Sequence, residues 1–189
     1  MPDSHAVTPP SAERFPPIDK ATLPGDQRAA YDLIVGRRGA LPAPYATLLA
    51  SPEAADLFEQ YSSRLWHGVL PNALLEAVFL ATAQRCGCRY QWMNHVKKAA
   101  EAGLDSDAIA AIGRGELPTA PEDVAQGLRF AEMLHRDHAV SQPVFDAVAA
   151  RFGQRGVVEL TAFCGFATSV AMLLNVRQIT LPAGEPAPF

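Results

Sequence analysis

From residue 26 to residue 176 the apolar positions recur at three- and four-residue spacings, the period of helices that bury one face. Neither the strict alternation of a half-buried strand nor an Asn-Gly hairpin signal is evident. Breaks fall at Gly36 and Gly39, Leu41-Pro42-Ala43-Pro44, Pro71, Gly87, Gly103, the stretch from Gly113 to Pro121, and Gly153. Each is a residue or cluster that interrupts a helix. The punctuation predicts helices over 26–36, 45–50, 52–67, 71–86, 88–102, 105–113, 121–137, 141–152 and 154–176. Ser51-Pro52-Glu53 combines a Ser cap, a first-turn Pro and an early acid. Asp105-Ser106-Asp107 starts a short helix in the same way, after the stop at Gly103. No short repeat of the solenoid kind is present.

The chain has 189 residues, the length of one domain with a sizeable core. Its 49% hydrophobic and 19% charged residues exclude a disordered or collagen-like chain. A net charge of -4 argues against a nucleic-acid partner, because no basic field is there to hold phosphates. Three cysteines do not make a disulfide scaffold and fit a reducing compartment. The first residues carry neither a basic region nor an apolar run, so a cytoplasmic location is expected. The longest apolar stretch, 157–176, contains Glu159 with several Thr, Ser and Asn residues. It reads as a buried central helix rather than a membrane span, and no membrane partner is expected. Residues 1–25, with six prolines, read as an extended arm. Residues 26–182 form the helical domain, and 183–189 an irregular tail.

Two stretches carry candidate chemistry, 73–87 and 88–103. Glu76 shares its helix face with Ala73, Phe79, Leu80 and Ala83. A carboxylate on an apolar face has to be paired, hydrogen-bonded or protonated. The bland alternative is a structural anchor bonded to backbone groups. On the next helix Cys88, Gln91, Trp92, His95 and Ala99 fall on one face. That face offers a thiol, an amide, an indole and an imidazole instead of a Leu stripe. Cys88 follows the break at Gly87 and so falls in a first turn, where the helix dipole and free N–H groups favour a thiolate. A buried packing Cys and a satisfied core His are the commoner fates of each alone.

Glu76, Cys88, Tyr90, Trp92 and His95, spaced E-x11-C-x-Y-x-W-x-x-H and followed by 97–115, resemble the carboxymuconolactone decarboxylase-like family. That family includes the alkylhydroperoxidase D group. The resemblance is strongest over 71–115, is supported by 130–141 and 157–182, and covers about three quarters of the chain. It implies an all-α, single-domain bundle of helix hairpins. It also implies a homo-oligomer, commonly a trimer or hexamer, and chemistry without metal or organic cofactor. Alkylhydroperoxidase D members carry Cys-x-x-Cys with a His four residues further on and an upstream Glu. Here Glu76, Cys88 and His95 match the Glu, first Cys and His, whereas Gln91 stands at the second Cys. A two-thiol peroxide cycle needs a resolving cysteine. Cys86 is one residue removed from Cys88, where a bridge is strained, and Cys164 lies on a distant helix.

Three functions compete, in this order. The first is a decarboxylase-type, cofactor-free enzyme moving protons on a small carboxylated or lactone substrate. His95 is its general acid–base and Glu76 orients it or relays the proton; Cys88 and Gln91 shape the pocket, and Trp92 is an apolar wall. The second is a thiol-dependent alkyl hydroperoxide reductase using Cys88. The third is a non-catalytic oligomeric binding protein. Lesser candidates are His135 and His138, which lack an evident third metal ligand, and His67, at the edge of the same pocket. Lys97 and Lys98 read as a solvated face, and Glu159 as a network anchor or subunit contact.

Overall fold

A computed structural model describes residues 14–119, 121–179, 181 and 189. The first thirteen residues of the proline-rich arm and residues 183–188 of the tail lie outside the described residues. The described residues contain eight helices and no strand: α1 (Gly25–Arg38), α2 (Ala43–Leu48), α3 (Pro52–Trp66), α4 (Asn72–Arg85), α5 (Arg89–Glu101), α6 (Ser106–Gly113), α7 (Glu122–Asp137) and α8 (Gln142–Arg177). The fold is an all-α bundle. The described end of the arm is not uniformly extended. Lys20–Thr22 make a 3-10 turn, capped by the Asp19 carboxylate on the Ala21 N–H at 2.9 Å. Asp105 caps α6 through the Ala108 N–H at 2.8 Å. Ser51 stands at the cap position of α3, but its side chain makes no capping bond.

The core is built around α4, which packs against α5, α6, α7 and α8. Its low polarity makes this arrangement obligatory: from Leu74 to Leu80 every residue is buried, on all sides of the helix. Burying that much apolar surface is the main favourable contribution to folding. Close approach to α7 is permitted by Gly127, where an added Cβ would meet Leu74 Cδ1 at 2.4 Å. A second, smaller core of Ala30, Ile34, Tyr45, Leu49 and Ala55 joins α1, α2 and α3.

The sequence separates helices 141–152 and 154–176; the structure runs them together as α8, broken at Gly153. There φ is 72° and ψ 176°, a backbone region open essentially to glycine alone. The second half, though long and apolar enough to cross a membrane, threads the core through Leu160, Phe163, Cys164, Ala167 and Ala171. Gly153→Ala is expected to destabilise the protein by about 1–3 kcal/mol through backbone strain. Urea unfolding should show this as a lower midpoint with an unchanged slope.

Candidate active site

The α4–α5 hairpin turns at Gly87, whose φ of 59° is left-handed. The Cys88 N–H bonds the Ala83 carbonyl at 2.8 Å and the Gly87 N–H that of Gln84 at 3.2 Å. This is a complete Schellman cap, which folds the residue after the glycine back onto the last turn of the helix. The turn brings Glu76 and His95 together within one chain: Glu76 Oε2 lies 2.7 Å from His95 Nδ1. Glu76 is 3% exposed. It pairs with an imidazole and not with backbone groups, so the anchor alternative is replaced by a side-chain pair. The His95 ring stacks on Phe79 at 4.4 Å between centroids and lies nearly parallel to Trp66 at 6.2 Å. Both contacts fix its orientation.

The pair lines a cavity of about 860 Å³, within the usual range for small-molecule sites. Asn72, Glu76 and Phe79 of α4 and Tyr90, Gln91, Asn94, His95 and Lys98 of α5 form one side. Phe58, Glu59, Ser62 and Trp66 of α3, with Phe166, Val170 and Leu174 of α8, form others. Arg37, Arg38 and residues 41–45 complete it from the α1–α2 region. Two buried polar atoms on this lining have no hydrogen-bond partner, Gln91 Oε1 and Tyr45 Oη. The Gln91 amide nitrogen donates to the Phe79 carbonyl at 3.0 Å, which fixes the oxygen as the free end.

The single α5 face read from the sequence divides in two. Relative to Cys88, helical geometry turns Gln91 and His95 back by roughly 60° and 20°, and Trp92 forward by roughly 40°. Gln91 and His95 reach the cavity; Cys88 and Trp92 are buried in the core. Trp92 is therefore not a cavity wall. Its ring meets Phe189, 5.5 Å away, edge to face, and the Phe189 main-chain oxygen accepts from Arg89 Nε at 2.9 Å. Cys88 is 1% exposed and absent from the cavity lining. Burial pushes its thiol up to about 11, and the Gln91 N–H at the helix start opposes this only in part. The expected thiolate is thus overturned, because desolvation outweighs the helix dipole. Cys164, inside α8, is pushed up to about 12 by burial, and burial also raises Cys86. All three cysteines are free.

The lesser candidates separate cleanly. His67 does line the cavity, with Nδ1 2.8 Å from the Ser63 carbonyl. Lys98, read as merely solvated, is an exposed residue on the cavity lining. Glu159 is an anchor: it accepts from the Val69 N–H and from Arg155 Nε, both at 2.7 Å. Those bonds hold its carboxyl below the usual range even though burial acts in the opposite direction. His135, half-buried near the end of α7, is pushed down by burial and by Arg85. No cluster of three metal-binding side chains occurs among the described residues.

Sequence reading missed the α1–α3 part of the lining. Arg38 donates from Nε to Glu59 and from Nη2 to Ser62 at 2.9 Å, and its guanidinium lies over the Tyr45 ring, 5.0 Å from the centroid. The one available signal was Glu59, a carboxylate within the apolar stripe of α3 and only 2% exposed.

The site is thus a histidine–carboxylate pair on the wall of a half-open cavity in a helical bundle. Residues 52–133 match the profile of the carboxymuconolactone decarboxylase family. That span is less than half of the chain. A solved structure described as the alkylhydroperoxidase AhpD core of an uncharacterized peroxidase-related protein from Ralstonia eutropha JMP134 shares the fold. It is 21% identical, with a TM-score of 0.67 over 90% of this chain and 93% of that one. No curated protein matches the sequence.

The Cys88 environment has a measurable consequence. Its folded pKa lies above the usual 9.0, so the folded state holds the thiol proton more tightly than the unfolded chain. The stabilisation is complete below pH 9 and is lost as pH rises through 9 to 11, by about 1 kcal/mol at pH 10. Denaturant unfolding across this range should show a shallower decline for Cys88→Ala than for the wild type. Iodoacetamide at pH 8 should leave Cys88 of the native protein unmodified.

Proposed function

We propose that the protein is a cofactor-free proton-transfer enzyme of the carboxymuconolactone decarboxylase type, acting on a carboxylated or lactone substrate. The observation that carries this reading is the 2.7 Å contact between Glu76 and His95 on the cavity wall, with Cys88 buried elsewhere. An ionised carboxylate only accepts hydrogen bonds, so in this reading Nδ1–H donates to Glu76 and a lone pair is left on Nε2. Nε2 removes a proton from a carbon beside a carbonyl, the C–H electron pair moving into the carbonyl as an enolate. In a decarboxylation Nε2 instead takes the proton of the substrate's carboxylic acid, the C–C bond to the leaving CO2 breaks with its pair moving into a neighbouring carbonyl as an enolate, and His95 returns that proton to the vacated carbon. Glu76 stabilises the imidazolium in a site where water screens it little.

Support for the thiol peroxidase reading is weaker. It needs an accessible thiolate, and Cys88 is buried with its thiol pushed up to about 11. It also needs a second thiol where Gln91 stands. The test is a panel of carboxylated lactones and keto acids, followed by CO2 release and by deuterium uptake at carbon. His95→Ala should reduce kcat about 10²–10⁴-fold, and Glu76→Gln should reduce it while shifting the pH profile. Cys88→Ala should keep most activity. Fast hydroperoxide consumption lost in Cys88→Ser, with the carbon chemistry absent, would put the peroxidase first. Ligand binding without either reaction would leave a binding protein.

A homo-oligomer, trimer or hexamer, and a cytoplasmic location belong to the same proposal. Along α8 the exposed Val158, Met172 and Val176 share one stripe, apolar surface that a second copy can cover. Sedimentation at micromolar concentration should show a species larger than the monomer, and a stable monomer would remove the assembly.

A further inference from the structure

Away from the Glu76–His95 pair, the cavity has a second polar corner. Tyr45 of α2 is 3% exposed, and its hydroxyl lies close enough to Glu59 and Ser62 to interact with both but makes no well-formed hydrogen bond. A buried hydroxyl with no partner costs free energy unless something fills the gap. Beside it lies Arg38. Its Nε is bound to Glu59 and its Nη2 to Ser62, while Nη1 makes no hydrogen bond among the described residues. Glu59, itself 2% exposed, holds the guanidinium in place over the Tyr45 ring. The donor is therefore set before a ligand arrives, which lowers the ordering cost of binding.

We propose that Arg38 and Tyr45 form an anion-recognising corner that holds a carboxylate of the ligand and so determines its class. Guanidinium N–H groups match carboxylate oxygens in geometry and charge. The Tyr45 hydroxyl supplies a further donor, and burial, with Glu59 adding to it, raises the phenol and keeps it protonated. Between this corner and His95 runs a chain of touching aromatic rings, Tyr45 to Phe58 to Phe166 to Phe79 to His95. The ligand is thus a carboxylate with a planar or unsaturated body. The held carboxylate is a binding handle and not the reacting group, which lies at His95. Gln91 Oε1, the other unpaired buried atom on the cavity lining, accepts from a hydroxyl or N–H on the same ligand. Arg38 and Tyr45 precede residue 52, so the corner lies outside the span that matches the family.

The substrate class deduced here rests on the cavity being the reaction site, but its test is binding and needs no turnover. Isothermal titration of the full chain would compare 4-hydroxycinnamate, cinnamate and phenylacetate with their neutral amides. At least one carboxylate should bind at least tenfold more tightly than its amide. Tyr45→Phe, which removes only the unpaired hydroxyl, should weaken that carboxylate about three- to tenfold and leave the amide unchanged. Arg38→Gln should abolish the carboxylate preference; the double variant Arg38→Gln, Glu59→Gln, which leaves no buried charge unpaired, should do the same while melting like the wild type. His95→Ala should keep the preference even though it removes turnover, which separates this inference from the proposed reaction. Equal binding of acids and amides, no binding by any acid, or a preference that survives both Tyr45→Phe and the double variant would overturn it.

Discussion

Glu76 is a carboxylate in the middle of the most buried helix of the fold, and it has to be paired there. The partner is His95, and the requirement propagates outward. For the imidazole to reach Glu76, α5 must pack along α4 in one register, which the Gly87 turn sets. The ring must also be held flat against Phe79 and near Trp66, which ties α3 into the same arrangement. The pair therefore organises three helices and the cavity wall they share. A carboxylate bound by an imidazole N–H costs less to bury than an isolated charge, and the other imidazole nitrogen is left for whatever enters the cavity.

The same turn decides the fate of Cys88. A Schellman cap folds the residue after its glycine inward, and here that residue is the cysteine. Leu104 repeats the geometry after Gly103 at the far end of α5, with its N–H on the Ala99 carbonyl, and is buried too. Cys88 thus occupies a position built for an apolar side chain. Its thiol keeps its proton because the surroundings cannot solvate a thiolate. With the thiol dry, the imidazole and carboxylate are the groups of this hairpin to which the proposed proton transfer is assigned.

Around that centre α3 contributes lining from inside the segment that matches the family, and the rest comes from outside it. Arg38 and Tyr45 come from the α1–α2 region, and Phe166, Val170 and Leu174 from α8. The division is physically reasonable. The hairpin provides the paired carboxylate and imidazole. The surrounding helices set size, charge and apolar character, and hence which molecule can be held. The Arg38–Glu59 pair illustrates this: each group neutralises the other, yet guanidinium donors remain for a ligand.

Helix positions and ends were legible in the sequence because glycine, proline and Asx caps act within a few residues. Asp105 capping α6 and the break at Gly153 are local effects of that kind. So was the anomaly of Glu76, since an acid in an apolar run is visible without coordinates. The face of α5 was legible only to the nearest broad arc. Spacing placed Cys88, Gln91, Trp92 and His95 together, but a few tens of degrees of rotation separate cavity from core. That rotation is set by how α5 seats on α4, α6 and α8, contacts between residues far apart in the chain. The same holds for Arg38 and Tyr45, which look like ordinary surface and turn residues in sequence. Residue type and local spacing determined the helices and the reactive groups. Tertiary packing alone decided which groups are dry, which are paired and which face the cavity, because burial and pairing depend on distant neighbours.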